Sequence, residues 1–540
     1  MPKKFEDDKT KSYNLPNFLG GYNSYASGKA TVKDNEFPYG LNVVLDNNGS
    51  VMKRNGSARW GGEIASGKAI RGLGWLYNNS LNMVIAAAGT GWYYADGDNA
   101  GVLLTGKTFT NDKTTHFAQC IDRLYGANNT DNLCYTDDGE AVTDVTSNGN
   151  IGDYPTYYNQ RLYMTNATYK DRVYYSNPIT STEYSYAVGN FGTFNTVLED
   201  TPKKNAGFII LIPGGGVVIT RIYKDNSAGV DYIYAYTKRH GIWRIAYSSI
   251  NTDGSIAHSI IQIVTANGTP AGDSVVKVAN DQWFYGGDNL YTYGESATYQ
   301  NLRITTKSGR IRTEINAINP AGKSGVVGGY LRDRLYFAYQ VGTYNDRMIV
   351  YDIRMNAWGS PLSGINTNCF LEYEDATGNM KLLSGSSNSA DSYIYELESG
   401  TNDVSTAVNG YFETKSTDCK TSLLKRFAFI DVFYTTLFGV VTYEVWIDEA
   451  LSLTGQVQIG NSSDKPAGIG SLPIGTFKIG AEYDTSTTFA SLSQNSFFRI
   501  DTAYAEGHRV SVRITNNVAS EQFKIDGTTI YYILGDVYEE

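Results

Sequence analysis

Four histidines, His116, His240, His258 and His508, are the residues best able to move a proton or hold a metal, yet they lie far apart with no metal-ligand spacing. Taken singly, each reads as a surface or loop histidine. The four cysteines, Cys120, Cys134, Cys369 and Cys419, include no CxxC pair. Cys120 and Cys134 could face each other across neighbouring strands. Buried free thiols are the simpler reading, in keeping with assembly in a reducing cytoplasm. Pro213-Gly214-Gly215-Gly216 lacks the Lys-Ser/Thr that follows a phosphate loop and runs into a strand, so it reads as a turn. No Gly-x-Ser-x-Gly elbow occurs, and no Ser/His/Asp set can be chosen on local grounds. Acidic pairs for glycoside cleavage could meet on the axis of a ring-shaped fold, but no particular pair stands out. The expectation is a protein that is not an enzyme and uses no cofactor or metal.

Strands must position whatever this chain does. Its 43 Tyr and 56 Gly against 12 Pro describe short strands joined by tight turns. With 41% hydrophobic and 13% aromatic residues, disorder is excluded as a general state. From about residue 60 one phrase recurs: a short apolar strand, a variable loop, then a strand rich in Tyr. It begins at Leu81, Asp122, Gln160, Gly216, Gln282, Asp333 and Lys381. Three of the phrases contain the triplet Arg-Leu-Tyr, at Arg123, Arg161 and Arg334. In a strand this triplet sends Leu to one face and Arg and Tyr to the other. Spacings of about 40 to 65 residues match the period of a propeller blade, which cannot bury both faces without neighbours. The expected fold is all-β: a propeller over residues 60–400, with seven blades and with six or eight as alternatives. Arg221–Ile263 is where an extra hairpin could hide. A polar stretch near Leu397–Asn402 then leads to strands at Phe427–Tyr434, Val440–Ile447, Phe498–Ile500, Val510–Ile514 and Tyr531–Leu534. Residues 401–540 therefore read as a β-sandwich, and no helix longer than two turns is expected.

Residues 1–59 read as an extended arm followed by a hairpin. Leu41, Val43 and Leu45 alternate, Asp46–Gly49 turns, and Val51 leads the return strand. The formal charge of −10 speaks against a specific nucleic-acid binder. The N-terminus has no apolar core of a signal peptide, and no apolar run approaches membrane-span length. Turns that pair Asp with Gly recur, as at Asp253-Gly254. Asp137-Asp138-Gly139 resembles the Asp box of sialidase-type propellers but lacks its leading Ser and closing Trp, so a turn is the better reading. The many Tyr and Trp residues either pack between blades with the Tyr hydroxyl wet or, for some, face partners.

Asn17-Phe18-Leu19-Gly20-Gly21, Asp34-Asn35-Glu36, Asn42–Asp46, Gly49-Ser50 and Lys53-Arg54-Asn55-Gly56 together resemble the N-terminal signature of the nozzle, tail tubular B or tail-stabilisation proteins of short-tailed bacteriophages. The last phrase stands where that family has Arg-Pro/x-Gly, here with Asn55 in place of Pro. Ile353–Trp358, a blade phrase closing on Trp, and Gly507–Ile514 with Phe523-Lys524-Ile525 add to the likeness. The resemblance implies a virion component made in the host cytoplasm, with Asn17, Phe18, Gly20, Gly21, Asp34, Asn35, Glu36, Arg54 and Gly56 as an assembly motif. It implies a ring, typically of about six copies, below an adaptor or portal protein, with tail fibres or spikes as further partners. Genomic DNA would pass without specific binding, beside an acidic lumen that repels phosphate. From Tyr411 onward sixteen Asp/Glu stand against ten Lys/Arg, which agrees with such a wall. The arm is expected to reach a neighbouring copy. A head–tail stabiliser or neck decoration protein, and a receptor-binding or glycan-processing propeller, are the alternatives.

Overall fold

A computed structural model describes residues 10–25, 29–78, 81–145, 151–176, 207–211, 217–227, 230–250, 256–278, 281–295, 302–435, 439–459 and 496–535. The turns expected at Pro213–Gly216 and Asp253-Gly254 lie wholly or mainly outside these residues. Seven antiparallel sheets follow one another along the chain from Ile70 to Leu397. They are the blades of a β-propeller. The innermost strands are Ile70–Tyr77, His116–Cys120, Gly152–Tyr158, Ile219–Ser227, Val276–Val278, Val327–Leu331 and Thr367–Glu374. Each packs beside the next, blade four reaching blade five through the Gly272–Ser274 turn, and Thr367–Glu374 returns to Ile70–Tyr77, so the ring is closed.

The Arg-Leu-Tyr triplet shows why the blades need one another. Leu124 packs with Leu76, Ile85 and Trp92 of blade one, whereas Tyr125, pointing to the opposite face, packs with Leu162, Met164 and Tyr174 of blade three. Leu162 and Tyr163 repeat the alternation one blade later. Each side chain adds its area to an inter-blade layer, and full burial of a Leu-sized group is worth about 1.5–3 kcal/mol. Tyrosine fills much of these layers: Tyr125, Tyr163, Tyr174, Tyr234, Tyr236 and Tyr285 are all fully buried. A wet hydroxyl is not general, because the Tyr236 hydroxyl donates to Gln282 Oε1 inside the fold.

Six of the seven sequence phrases fall on the two middle strands of a blade. Blade four differs. There Val217–Ile219 of the phrase leads into the innermost strand, Ile219–Ser227, and the second half of the blade is Ile242–Ile250 and Ile256–Val264. The hairpin suspected within Arg221–Ile263 completes that blade instead of adding another. Blade seven is completed from the other end of the chain. Ser57–Arg59 pairs antiparallel with Ile394–Leu397, so the propeller begins at residue 57 and is latched by its own N-terminal side. Cys120 and Cys134 are buried free thiols in strands separated by Arg123–Ala127, not adjacent ones.

Two further sheets form the sandwich. One runs Ser496–Asp501, Lys425–Tyr434, Lys524–Leu534, Val51–Lys53, Val43–Leu45, and Lys11–Leu15 also pairs with Lys524–Leu534. The other runs Tyr39–Leu41, Gly410–Glu413, Val510–Asn516, Gly439–Ile447, Ala450–Ile459. Residues 401–540 thus supply most of the sandwich but not all of it. The segment expected as an arm is extended, and four of its strands are built into these sheets. The backbone groups of these four strands pair within the chain, which is the physical reason they do not reach outward. Leu15, Phe18, Val43 and Val51 share one hydrophobic core with Phe427 and Val512 of the sandwich and with Trp283 and Tyr351 of blades five and six. Sandwich and propeller are therefore joined by a continuous apolar interior.

Candidate functional site: the N-terminal junction and the propeller axis

The motif residues gather where sandwich and propeller meet. The Asn17 side chain accepts from the Leu19 amide at 3.2 Å. Phe18 is fully buried, its ring edge-on to Phe37 and Phe412, and its amide donates to Gly49 O at 2.8 Å. The Gly20 amide donates to Asn35 O at 2.8 Å, and a side chain there would meet the Glu36 Cγ at 2.5 Å. Gly21 has φ of +71°, and an added Cβ would stand 2.5 Å from Trp358 O of blade six. Only glycine satisfies both conditions.

Charged groups finish the junction. Asp34 accepts from Lys415 Nζ at 2.8 Å and from the Tyr13 hydroxyl at 2.5 Å. Glu36, almost wholly buried, accepts from Asn23 Nδ2 at 2.8 Å and the Lys33 amide at 3.1 Å, with Arg310 Nη2 at 3.4 Å. Arg54 makes a two-pronged pair with Asp403, through Nη1 at 2.8 Å and Nη2 at 2.5 Å. Its remaining donors reach Asn42 Oδ1 at 3.1 Å, Ser363 O at 2.7 Å and Asn55 O at 2.9 Å. One guanidinium therefore ties the hairpin to blade six and to the Asn402–Asp403 strand beside blade seven. Gly56 passes so close to Asn402 that a Cβ would lie 1.9 Å from its carbonyl oxygen.

Two cations central to the junction carried no sequence signal of their own. Lys53 is fully buried, with Nζ donating to Asn516 Oδ1 at 2.7 Å, Glu521 O at 3.0 Å and Val518 O at 3.1 Å. Burial pulls its pKa down to about 8. Lys29 Nζ lies 2.7 Å from the fully buried Glu413, which also pairs with Arg513 at 3.0 Å. In the sequence Lys29 sits in an ordinary polar stretch, and Lys53 ends the return strand as part of the Lys53–Gly56 phrase, with nothing to mark its burial.

The second concentration of charge lies on the propeller axis, at the end where the chain enters the inner strands. His116 Nδ1 is 2.5 Å from Asp153 Oδ1 of blade three. Its Nε2 is 2.8 Å from Asp273 Oδ1, an ion pair without the alignment of a hydrogen bond. Asp273 sits in the Gly272–Ser274 turn that leads into blade five, and Arg221 Nη1 of blade four reaches it at 3.1 Å. Tyr154 stacks on the imidazole with ring centres 4.0 Å apart. Burial by itself would lower the His116 pKa, but the Asp153 and Asp273 carboxylates outweigh it and push it up to about 10. Asp273 is held below the usual carboxylate range: burial would raise it, and His116 and Arg221 prevail. Because the folded histidine titrates above its ordinary value, its stabilisation is complete below about pH 6.5 and is lost as pH rises towards 10. Thermal unfolding between pH 6 and 10 should therefore show H116Q losing less stability with rising pH than the parent. Parallel curves would contradict this assignment.

The other histidines stay apart from this cluster. His258 Nε2 lies 3.0 Å from the Tyr163 hydroxyl, and burial with nearby Arg161 lowers its pKa to about 4. His240 and His508 are exposed. Asp137-Asp138-Gly139 is a turn: Asp138 Oδ1 accepts from the amides of Glu140 at 2.8 Å and Ala141 at 3.0 Å. The axial set was hidden because His116, Asp153 and Tyr154 come from the strand before a recognisable phrase, and Asp273 from a turn. Placing one further strand ahead of the phrases that begin at Leu81, Asp122 and Gln160 would have put Arg71, His116 and Tyr154 near the axis.

No protein-family profile matches the chain, and no curated protein matches it. Solved structures similar to it include a computationally designed protein, Ika8, at 10% identity over 63% of this chain and 99% of that one, with a TM-score of 0.35. BBS1N in complex with ARL6DN shares 12% identity over 65% of this chain and 99% of its own, with a TM-score of 0.39. The Cps50 (Swd1) β-propeller domain of Myceliophteria thermophila shares 10% over 62% and 99%, with a TM-score of 0.38. The propeller assignment stands on the strand pairing itself. Among the described residues no helix is long and apolar enough to cross a membrane.

Proposed function

We propose that this chain is a structural virion protein of a bacteriophage tail, a nozzle or hub subunit. In this reading copies form a ring around the DNA exit path and connect an adaptor or portal to distal tail parts. The observation that carries the reading is the N-terminal signature. The residues whose wording resembles that family are the ones that lock an N-terminal strand set into a sandwich and tie it to a propeller. A subunit that must transmit force along a tail benefits from such a joint, since a continuous core resists relative domain motion.

The axis of the propeller is not a route for DNA. A duplex whose major groove alone is about 12 Å wide cannot pass an opening bridged by His116 and Asp273 at 2.8 Å. The lumen of the proposed ring therefore runs between copies, and its wall is expected to be acidic. With the N-terminal strands paired inside their own chain, the contacts between copies fall to other exposed surfaces. Sedimentation and negative-stain imaging of the purified chain over rising concentration test this reading. Closed rings with a central hole are expected, and rings whose bore carries Lys/Arg bands would contradict the acidic wall. A glycan array and a hydrolysis assay separate the receptor-binding alternative: saturable glycan binding by the full chain without ring formation would favour it.

A further inference from the structure

The mouth of the propeller axis holds a cavity of about 550 Å³ that the tail reading does not use. Its walls carry Arg71, His116, Arg221 and Lys224 against Asp273, with Asp153 directly behind His116. That excess of positive charge is unexpected in a chain with net charge −10. Asp273 is shared between His116 and Arg221, and Lys224 is taken by Asp231 at 2.9 Å. Arg71 has no ion pair among the described residues. Arg71 Nε and Arg221 Nε are both buried without a hydrogen-bond partner. A buried donor left unpaired is costly, and a guanidinium regains that cost most fully from an oxyanion that accepts two of its N–H groups.

We propose that this axial cavity binds a small oxyanionic ligand, through a phosphate or carboxylate group held between Arg71 of blade one and Arg221 of blade four. The arginines stand three blades apart in the ring, so the anion bridges opposite walls. His116 completes the cationic surface while Asp153 and Asp273 fix its ring from both sides. The Tyr154 ring stacked on it prevents it from turning away.

Isothermal titration of the full-length protein with inorganic phosphate, and separately with acetate, at constant ionic strength in chloride tests the proposal. Saturable binding of at least one of the two anions is expected, and the preferred one names the group. R71Q is the decisive variant, because Arg71 holds no ion pair whose loss would disturb the fold. It should bind at least tenfold more weakly while unfolding at the parent temperature. R221K, which keeps the charge beside Asp273 but not the planar fork, should also bind more weakly. Absence of saturable binding by the parent, or equal binding by R71Q, would overturn the site.

Discussion

Deleting residues 1–40 is expected to leave a chain that cannot fold its sandwich, and not a folded monomer with a missing tether. The deletion removes the strand Lys11–Leu15 from beside Lys524–Leu534 and most of Tyr39–Leu41 from beside Gly410–Glu413. It also takes Leu15, Phe18, Tyr22 and Phe37 out of the common core, each 5% exposed or less. At about 1.5–3 kcal/mol for each buried side chain, the loss is about 6–12 kcal/mol, comparable with the entire stability of an ordinary domain. Phe412 would lose two of its three aromatic partners, keeping Phe523, and Glu413 would lose Lys29. Circular dichroism with urea denaturation checks this outcome. A soluble truncated chain with a cooperative transition close to the parent's would show that the segment is an appendage after all.

The second large effect is expected at Arg54. R54M keeps the apolar stem but removes both prongs on Asp403 and the donors to Asn42, Ser363 and Asn55. Asp403 is then left as a nearly buried carboxylate whose remaining side-chain donor is Ser57 Oγ at 3.0 Å. Breaking a buried pair from one side costs about 3–5 kcal/mol. R54K should fall between parent and R54M, because an ammonium keeps the charge but cannot copy the planar fork. The double variant R54M/D403L should lose less than the two single losses combined, since no charge is then left unpaired. Denaturant midpoints for the parent, R54M, R54K, D403L and the double variant decide this. Additive losses would mean that Arg54 and Asp403 act independently.

The propeller was legible in the sequence because its signal is local. Leu124 and Tyr125, or Leu162 and Tyr163, sit side by side and point to opposite blades, so alternation is visible within three residues. Blade four was marked by its phrase but not strand by strand, because its four strands run to eight or nine residues and the apolar phrase falls on a different strand of the blade. The N-terminal segment was legible as extended chain but not as part of the sandwich. The hairpin of Val43–Leu45 and Val51–Lys53 was legible from its alternation and turn, but Val51 also finds a partner at Ile525. Nothing local announces a partner at that distance. Gly410–Glu413 is too short for a periodic pattern, and Ala450–Ile459 is an edge strand with mostly exposed residues that lacks an apolar face to read. At the junction, Gly21 and Gly56 could be picked out by type. Their reason, the close approach of Trp358 O and Asn402 O, exists only in the folded chain. On the axis, His116, Arg221 and Asp273 come from separate blades, and only closure of the ring brings them together.

Immunogold electron microscopy of intact tailed particles, with antibody against the purified chain, is the decisive measurement for a tail subunit. Label is expected at the tail, repeated around its axis beneath the head-proximal end, with an unlabelled head. Particles of full infectivity that carry no label would contradict the assignment of this protein to the tail.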